Sequence, residues 1–147
     1  MPLRPLPLVV ALLSASAALA HSGVSNPAVK ARMHTMMQIA DNTKVLGDMA
    51  KGKTAFDAEA ARAAAAAIAA HSASVTALFS AEEQDPKSEA LPAIWQDFET
   101  FSRKSEALTL AAAEAAGSIQ SEADLKPALA GIGGACKSCH MDFRKPQ

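Results

Sequence analysis

Two cysteines and a histidine near the C-terminus are the residues best suited to chemistry. Cys136, Cys139 and His140 stand in the segment GGACKSCHMDFRK, with two residues between the cysteines and the histidine directly after the second. Such a group can exchange a disulfide, hold a metal ion, or fix a cofactor covalently through its thiols. These chemistries need different surroundings, so the rest of the chain discriminates between them.

The disulfide and zinc interpretations fit this chain poorly. A thiol-redox C-x-x-C motif is typical of a βαβ pattern, and the sequence predicts no strand. A structural disulfide across so short a loop gains little chain-entropy stabilisation. A structural zinc site needs four ligands, whereas Cys136, Cys139 and His140 supply three and no second Cys/His cluster stands at finger-like spacing.

The remaining interpretation uses all three residues. C-x-x-C-H is the attachment signal for c-type haem: the two thiols add to the vinyl groups of the ring, and the histidine binds the iron. On a helix, positions i, i+3 and i+4 lie on one face, so all three side chains can meet the same ring. The sequence therefore predicts one covalently attached haem c, with Cys136 and Cys139 as attachment sites and His140 as an iron ligand.

An N-terminal export signal agrees with this chemistry. Arg4 precedes an apolar run, and Ala18-Leu19-Ala20 is a small-x-small cleavage site. The run is shorter than the roughly 20 residues of a membrane-spanning helix. We therefore predict a cleaved signal peptide over residues 1–20, no membrane anchor, and a single mature domain over residues 21–147 in the periplasm.

The charge of the chain excludes one class of partner. The whole sequence has 14 Lys+Arg and 15 Asp+Glu, and loss of Arg4 with the signal peptide leaves a net charge of −2. This is not the basic footprint of a nucleic-acid-binding protein. Aromatic residues make up only 4% of the chain, so its own side chains would form a thin core that a large bound apolar group would help to fill.

The helix signals predict four helices and no strand. Asn26 is a good N-cap followed by Pro27 at the first helical position, and Lys51-Gly52 is a typical helix end. The four predicted helices cover residues 27–50, 57–80, 92–117, and 124 to just before Pro146. With mostly short connections, this pattern predicts an all-α fold, an antiparallel four-helix bundle with the haem near the C-terminus.

The fourth helix contains residues that require explanation. Pro127 favours Asp124 as the N-cap, because the proline then lies in the first turn, where its missing N–H does no harm. Gly131, Gly133 and Gly134 each weaken a helix by roughly 1 kcal/mol relative to alanine. Close approach of another helix, or of a bound ring, is the usual reason for such glycines.

Three segments together resemble the cytochrome c′ family, the class II c-type cytochromes. They are the late CKSCH with Arg144 four residues after His140, PAIWQDFETF in the third helix, and VLGDMAKGK at the end of the first. The resemblance covers essentially the whole mature chain. It implies a four-helix bundle with the haem on the last helix. Family members differ in the sixth iron ligand: typical ones leave that position open and bind NO or CO, whereas a low-spin branch places a methionine there and transfers electrons.

The first helix offers three candidates for that ligand. Met33, Met36 and Met37 share one broad helical face at ~100° per residue, so periodicity does not choose among them. Methionines in such a stripe are also common core filler. With a haem to cover, however, one of them becomes the natural axial donor, and Met/His ligation raises the potential of the iron. The resemblance selects Met36 and is closest to the low-spin branch, with Met33 and Met37 in reserve.

The resemblance also implies a haem environment. It places Arg32 near a haem propionate and puts Met33 where the family often has a glutamine. Trp95 is expected to pack near the haem. Phe143 is expected in the core, although its family equivalent lies close to the ring, and Arg144 near the proximal side of the iron or a propionate. His34 lies toward the flank of the first helix and is interpreted as a surface histidine.

These observations predict a periplasmic one-electron carrier with His140 and Met36 as axial ligands. The alternative is a cytochrome c′-like protein that binds NO or CO at an open or displaceable sixth site. A copper binder built on the three methionines and His34 is a third interpretation, but it leaves CKSCH unexplained. No nucleophile–base grouping is found, so an enzyme is not predicted. The expected partners are periplasmic redox proteins, with a possible homodimer through the first two helices.

Overall fold

Helices form nearly all of the regular structure between residues 23 and 146, the part of the chain that this computed structural model describes. A 3-10 turn, Glu122–Asp124, precedes the last helix, and the β-structure of these residues is a single isolated bridge between Ala90 and Arg144. The α-helices are α1 (Pro27–Ala50), α2 (Ala58–Ala73), α3 (Val75–Leu78), α4 (Ala93–Gln96), α5 (Phe98–Ser118) and α6 (Leu125–Phe143).

The first helix has the predicted limits. The Asn26 side chain accepts hydrogen bonds from the backbone N–H groups of Ala28 and Val29, which satisfies donors that the helix itself cannot pair. At the other end, Gly52 has a φ of 65°, a left-handed conformation that favours glycine. The prediction of a helix over residues 27–50 is confirmed.

The two middle helices are each divided in two, which the sequence analysis did not predict. The second predicted helix is interrupted at Ser74, whose hydroxyl donates to the backbone oxygen of His71 at 2.7 Å. The third is interrupted at Asp97, which has a φ of −135° and a ψ of 62° and caps α5 by accepting from the N–H of Thr100. Both side chains hydrogen-bond locally and so compete with an uninterrupted helix.

The last helix begins where Pro127 requires. Ser121 and Asp124 form a capping box around the 3-10 turn, and α6 starts at the next residue, Leu125. Pro127 is therefore the third residue of α6, within the first turn. The prediction that the helix starts at Asp124 and not at Ser121 is confirmed, with the 3-10 turn as an additional element.

The four long helices pack as an antiparallel bundle in the order α1, α2, α5, α6, with α6 returning to α1. On α2, Arg62 contacts the backbone oxygen of Ile119, and Ser72 lies 2.9 Å from the hydroxyl of Thr109, so α2 and α5 run in opposite directions. The core combines aliphatic side chains with buried alanines, including Ala61, Ala65 and Ala112. Small residues at these positions let the helices approach closely.

A row of aromatic rings extends the core toward the end of α6. Phe79 lies 6.4 Å from Trp95 and 5.0 Å from Phe101, measured between ring centroids. Phe101 in turn meets Phe143 edge-on at 5.4 Å. The row therefore links the connection after α3 to the residue three positions beyond His140.

The predicted signal peptide, residues 1–20, lies outside the described residues. Among residues 23–146, no helix has the length and apolar character that crossing a membrane would require.

Candidate functional site

Cys136 and Cys139 lie on the inner side of α6. Both are half-buried free thiols that pack against the hydrophobic core. Burial raises the pKa of the Cys136 thiol and raises that of Cys139 to about 11. Because the thiolate is the species that attacks a disulfide, these protonated thiols are poor thiol-exchange groups.

His140 follows directly and occupies the last turn of α6. The residue keeps solvent-exposed surface although its ring is partly desolvated, and its backbone oxygen accepts the N–H of Arg144 at 3.2 Å. Desolvation lowers the pKa of the imidazole, and the positive charge of Arg144 acts in the same direction, whereas Glu89 opposes them. These effects favour the neutral imidazole, which is the form that binds a metal.

Lys104 of α5 fixes the outer side of the motif. Its ammonium group donates to the backbone oxygen of Ser138 at 2.9 Å and pairs with Asp142. These contacts hold the last two turns of α6 against α5. Lys104 was not predicted from the sequence, because its two partners lie 34 and 38 positions further along the chain.

Arg144 is engaged by a residue that the sequence analysis also missed. Its Nε donates to Oε2 of Glu89 at 2.7 Å. The backbone beside this pair forms the Ala90–Arg144 bridge. Nothing local in the sequence links the two positions. The unbalanced charge of Arg144 at a helix end was the available hint that a carboxylate partner exists.

The three methionines of α1 differ in their surroundings. Met33, Met36 and Met37 are all partly buried. Met36 packs against the buried core cluster, as do Cys136 and Cys139. Met33 and Met37 do not pack against it. Since α1 and α6 are neighbours, Met36 faces the interior from the helix next to the motif.

Arg32 is a buried cation held by backbone oxygens and rings. Only 3% of the residue is exposed, and its nitrogens donate to the backbone oxygens of Leu78, Ala81 and Glu83 at 2.9, 2.6 and 2.7 Å. Its guanidinium carbon lies 4.6 Å from the ring centroid of Phe79 and 5.4 Å from that of Trp95. Desolvation lowers the pKa of Arg32, against the attraction of Glu83. The expected propionate contact of Arg32 stays a prediction.

The other predicted environment residues lie in the same region. The Trp95 indole N–H donates to the backbone oxygen of Phe79 at 2.8 Å, and the residue is partly buried. Phe143 is 6% exposed and lies in the core, and its expected place close to the ring stays a prediction. His34 is exposed, as expected for a surface histidine. The structure thus places Arg32 and Trp95 together, and Phe143 beside the CKSCH motif.

The glycines of α6 fall into two groups. A Cβ atom at Gly131 would meet the Cβ of Ala111 at 4.0 Å, which is ordinary packing against α5. At Gly133 and Gly134 no atom would lie within 4 Å of an added Cβ. Close approach of another helix therefore does not account for these two, which immediately precede the Ala135-Cys136 step.

The donor set fits a covalent haem better than a bare metal ion. Two thiols and an imidazole lie on one helical face, and the thiols are free and uncharged, the state in which they can form thioethers. Within residues 23–146, no three His, Cys, Asp or Glu side chains converge in a way that could hold an ion. Cys136, Cys139 and His140 would attach and ligate the haem.

Comparison with known proteins gives the same result. The family model described as Cytochrome C' matches residues 27–144. A cytochrome c' from Rhodopseudomonas palustris is 40% identical over 114 residues, covering 77% of this chain and 78% of the relative.

Solved structures agree. The cytochrome c' structure from Rhodopseudomonas palustris superimposes with a TM-score of 0.77 at 36% identity, covering 84% of this chain and 99% of the other. A structural model of oxidised cytochrome c556 from R. palustris gives a TM-score of 0.76 at 28% identity, with the same coverage of 84% and 99%. The chain belongs to the cytochrome c′ family of electron-carrying or gas-binding haem proteins, whose members carry one covalently bound haem c.

Proposed function

We propose that this protein is a periplasmic one-electron carrier whose haem is ligated by His140 and Met36. The observation that supports the proposal is the packing of Met36, which is the one of the three candidate methionines that packs against the same core cluster as Cys136 and Cys139. Met36 would supply the second protein ligand of the iron, because α1, which carries it, packs beside α6.

Each residue of the site has a distinct part in this function. Cys136 and Cys139 hold the ring against α6, and Gly133 and Gly134 leave the helix surface before them without side chains. His140 provides a neutral imidazole as one axial ligand. A bound haem supplies the iron that gains or loses one electron.

Met36 would set the ligation and the solvent access of the iron at its sixth position. Its thioether, together with His140, is a ligand pair that raises the reduction potential. It also excludes water and small molecules from the iron. The bundle contributes rigidity, because the last turns of α6 are fixed by Lys104 and by the bridge at Arg144.

A second candidate function is the binding of NO or CO at a displaceable sixth site. Met36 is only partly buried, and a thioether on a flexible side chain is a ligand that a strong small-molecule donor can replace. The family contains both kinds of protein. Under this alternative the fold, the thioether links and His140 stay the same, and only the role of Met36 changes.

Export and assembly belong to the same proposal. The N-terminal segment would direct the chain to the periplasm, where redox partner proteins would exchange electrons with it. Cytochromes c′ are often dimeric, and α1 and α2 are the helices through which a homodimer would form.

The deciding experiment is the absorption spectrum of the haem-loaded, reduced protein with and without CO. A sharp low-spin spectrum that CO does not change supports the electron carrier. A high-spin spectrum that shifts at once with CO supports gas binding and makes Met36 a core residue. Absence of a covalent haem spectrum, after expression with haem-attachment machinery, contradicts both.

A further inference from the structure

The connection between α3 and α4 contains a segment tied to both ends of the described chain. We name residues 85–91 the strap. At its start, Asp85 is 8% exposed, and its Oδ2 accepts from the backbone N–H groups of Ser25 and Asn26 at 2.8 and 3.1 Å. The strap is thereby joined to the start of α1, the helix that carries Met36.

The other end of the strap is joined to the end of α6. The N–H of Leu91 donates to the backbone oxygen of Phe143 at 3.0 Å, and the N–H of Lys145 donates to that of Glu89 at 2.8 Å. The Lys145 ammonium group adds a bond of 2.7 Å to the backbone oxygen of Ser88. This short antiparallel pairing begins three residues after His140.

Within this pairing, Glu89 binds the side chain of Arg144. The Glu89 carboxylate accepts from Nε of Arg144 at 2.7 Å and pairs with the second guanidinium nitrogen at 2.5 Å. An isolated ion pair at this exposure, 35% and 50% for the two side chains, would be loosely held. The backbone pairing on both sides removes that freedom, because it fixes the separation of the two residues.

We propose that Glu89 is a positioning residue for the haem site: it holds Arg144 and neutralises its charge beside the iron's His140 side. The inference rests on the proposed ligation by His140 and holds with either sixth ligand. A cation near the iron favours the reduced state, which carries one positive charge fewer. Pairing with Glu89 offsets this effect of the Arg144 charge. The strap thereby helps to set the reduction potential, although it lies on a different part of the chain from the CKSCH motif.

The test is the midpoint potential of the haem-loaded Glu89→Gln variant, measured by spectroelectrochemical titration. Glutamine keeps the size of the side chain and removes its charge, so the potential should move to a more positive value. The matched control is Glu82→Gln, an exposed residue of the same connection, which removes the same charge away from Arg144. Its potential should stay close to that of the unaltered protein.

A double-mutant cycle separates charge from structure. Arg144→Gln alone should lower the potential, and the Glu89→Gln/Arg144→Gln double variant should return close to the potential of the unaltered protein, because both charges of the neutral pair have been removed. Slow amide hydrogen exchange at Lys145 should persist in Glu89→Gln, since that N–H bonds to the backbone oxygen of residue 89. An equal shift in Glu82→Gln, or a double variant whose potential stays as far displaced as that of Glu89→Gln, would overturn the inference.

Failure of the inference and failure of the proposed function give different results. If the unaltered protein has a normal covalent haem spectrum and Glu89→Gln has the same potential as the unaltered protein, only the role of Glu89 is rejected. An unaltered protein without a covalent haem spectrum rejects the proposed function, and with it the basis for this inference.

Discussion

At the scale of single side chains, the proposed sixth ligand Met36 would decide which small molecules reach the iron. Met36 packs against the same core cluster as Cys136 and Cys139, whereas Met33 and Met37 do not. If Met36 is the sixth ligand, replacing it with alanine removes the thioether, and neither Met33 nor Met37 packs against the core to take its place. We expect Met36→Ala to lose the low-spin spectrum and to bind CO in the reduced state.

The neighbouring methionines provide the controls for this prediction. Met33→Ala and Met37→Ala should both keep the low-spin spectrum and should not bind CO. The measurement is the reduced absorption spectrum before and after CO addition for all three variants. A Met33→Ala protein that binds CO, beside a Met36→Ala protein that does not, would transfer the ligand role to Met33.

For single residues, the sequence could predict a role only where the pattern that reveals it lies within a few neighbouring positions. Cys136, Cys139 and His140 are recognisable because their whole pattern lies within five residues. The partners of Arg144 and Arg32 were not predictable, because they lie 55 and about 50 positions away. No periodicity or cap connects such pairs, and only the folded chain brings them together.

Among the helices, α5 shows how small residues allow the bundle to close. Ala112 has no exposed surface and lies in the core, whereas the next residue, Ala113, is exposed. Ala112→Leu would force added methylene and methyl groups into a filled space, which costs about 1–3 kcal/mol of unfolding free energy. Chemical denaturation of the haem-loaded protein should show this loss.

Ala113→Leu is the matched control on the same helix. An exposed alanine-to-leucine change alters neither packing nor helix propensity much, so the unfolding free energy should stay within about 0.5 kcal/mol. If both variants lose the same stability, helix propensity or solubility, and not the packing of α5, accounts for the effect.

The limits of the helices were predictable only where strong caps mark them. Asn26-Pro27 and Lys51-Gly52 define α1 correctly, and Pro127 defines the start of α6. The breaks at Ser74 and Asp97 were not predicted, because serine and aspartate are weaker signals than proline or glycine. In the folded chain, the local hydrogen bonds of these two side chains replace a continuous helix at Ser74 and at Asp97.

For the whole molecule, Asp85 connects stability to pH. Backbone hydrogen bonds from Lys87, Asn26 and Ser25 lower its pKa from 3.8 to about 2 in the folded protein. As the pH falls, the unfolded chain therefore takes up this proton first. The contact stabilises the fold fully above about pH 4, and its contribution is lost as the pH falls through 2.

This linkage predicts a pH-dependent difference between two proteins. Asp85→Asn should be less stable than the unaltered protein at pH 7, and the difference should shrink as the pH approaches 2. Denaturant unfolding at several pH values measures it. Asp41→Asn, a change at an exposed residue of α1, should leave the stability at pH 7 nearly unchanged. A difference for Asp85→Asn that is the same at pH 2.5 and pH 7 would contradict the prediction.

The strap also has a consequence for the order of folding during export. It joins Ser25 to Asp85 and Glu89 to Arg144, positions 60 and 55 residues apart, so its contacts form later than those within a helix. Because α6 follows the other helices in the chain, we expect the pairing at residues 143–145 to close last. If the chain is exported and loaded with haem as proposed, the thiols of Cys136 and Cys139 would be open to the attachment machinery until this pairing closes. A faster-folding bundle would then leave the machinery less time to act.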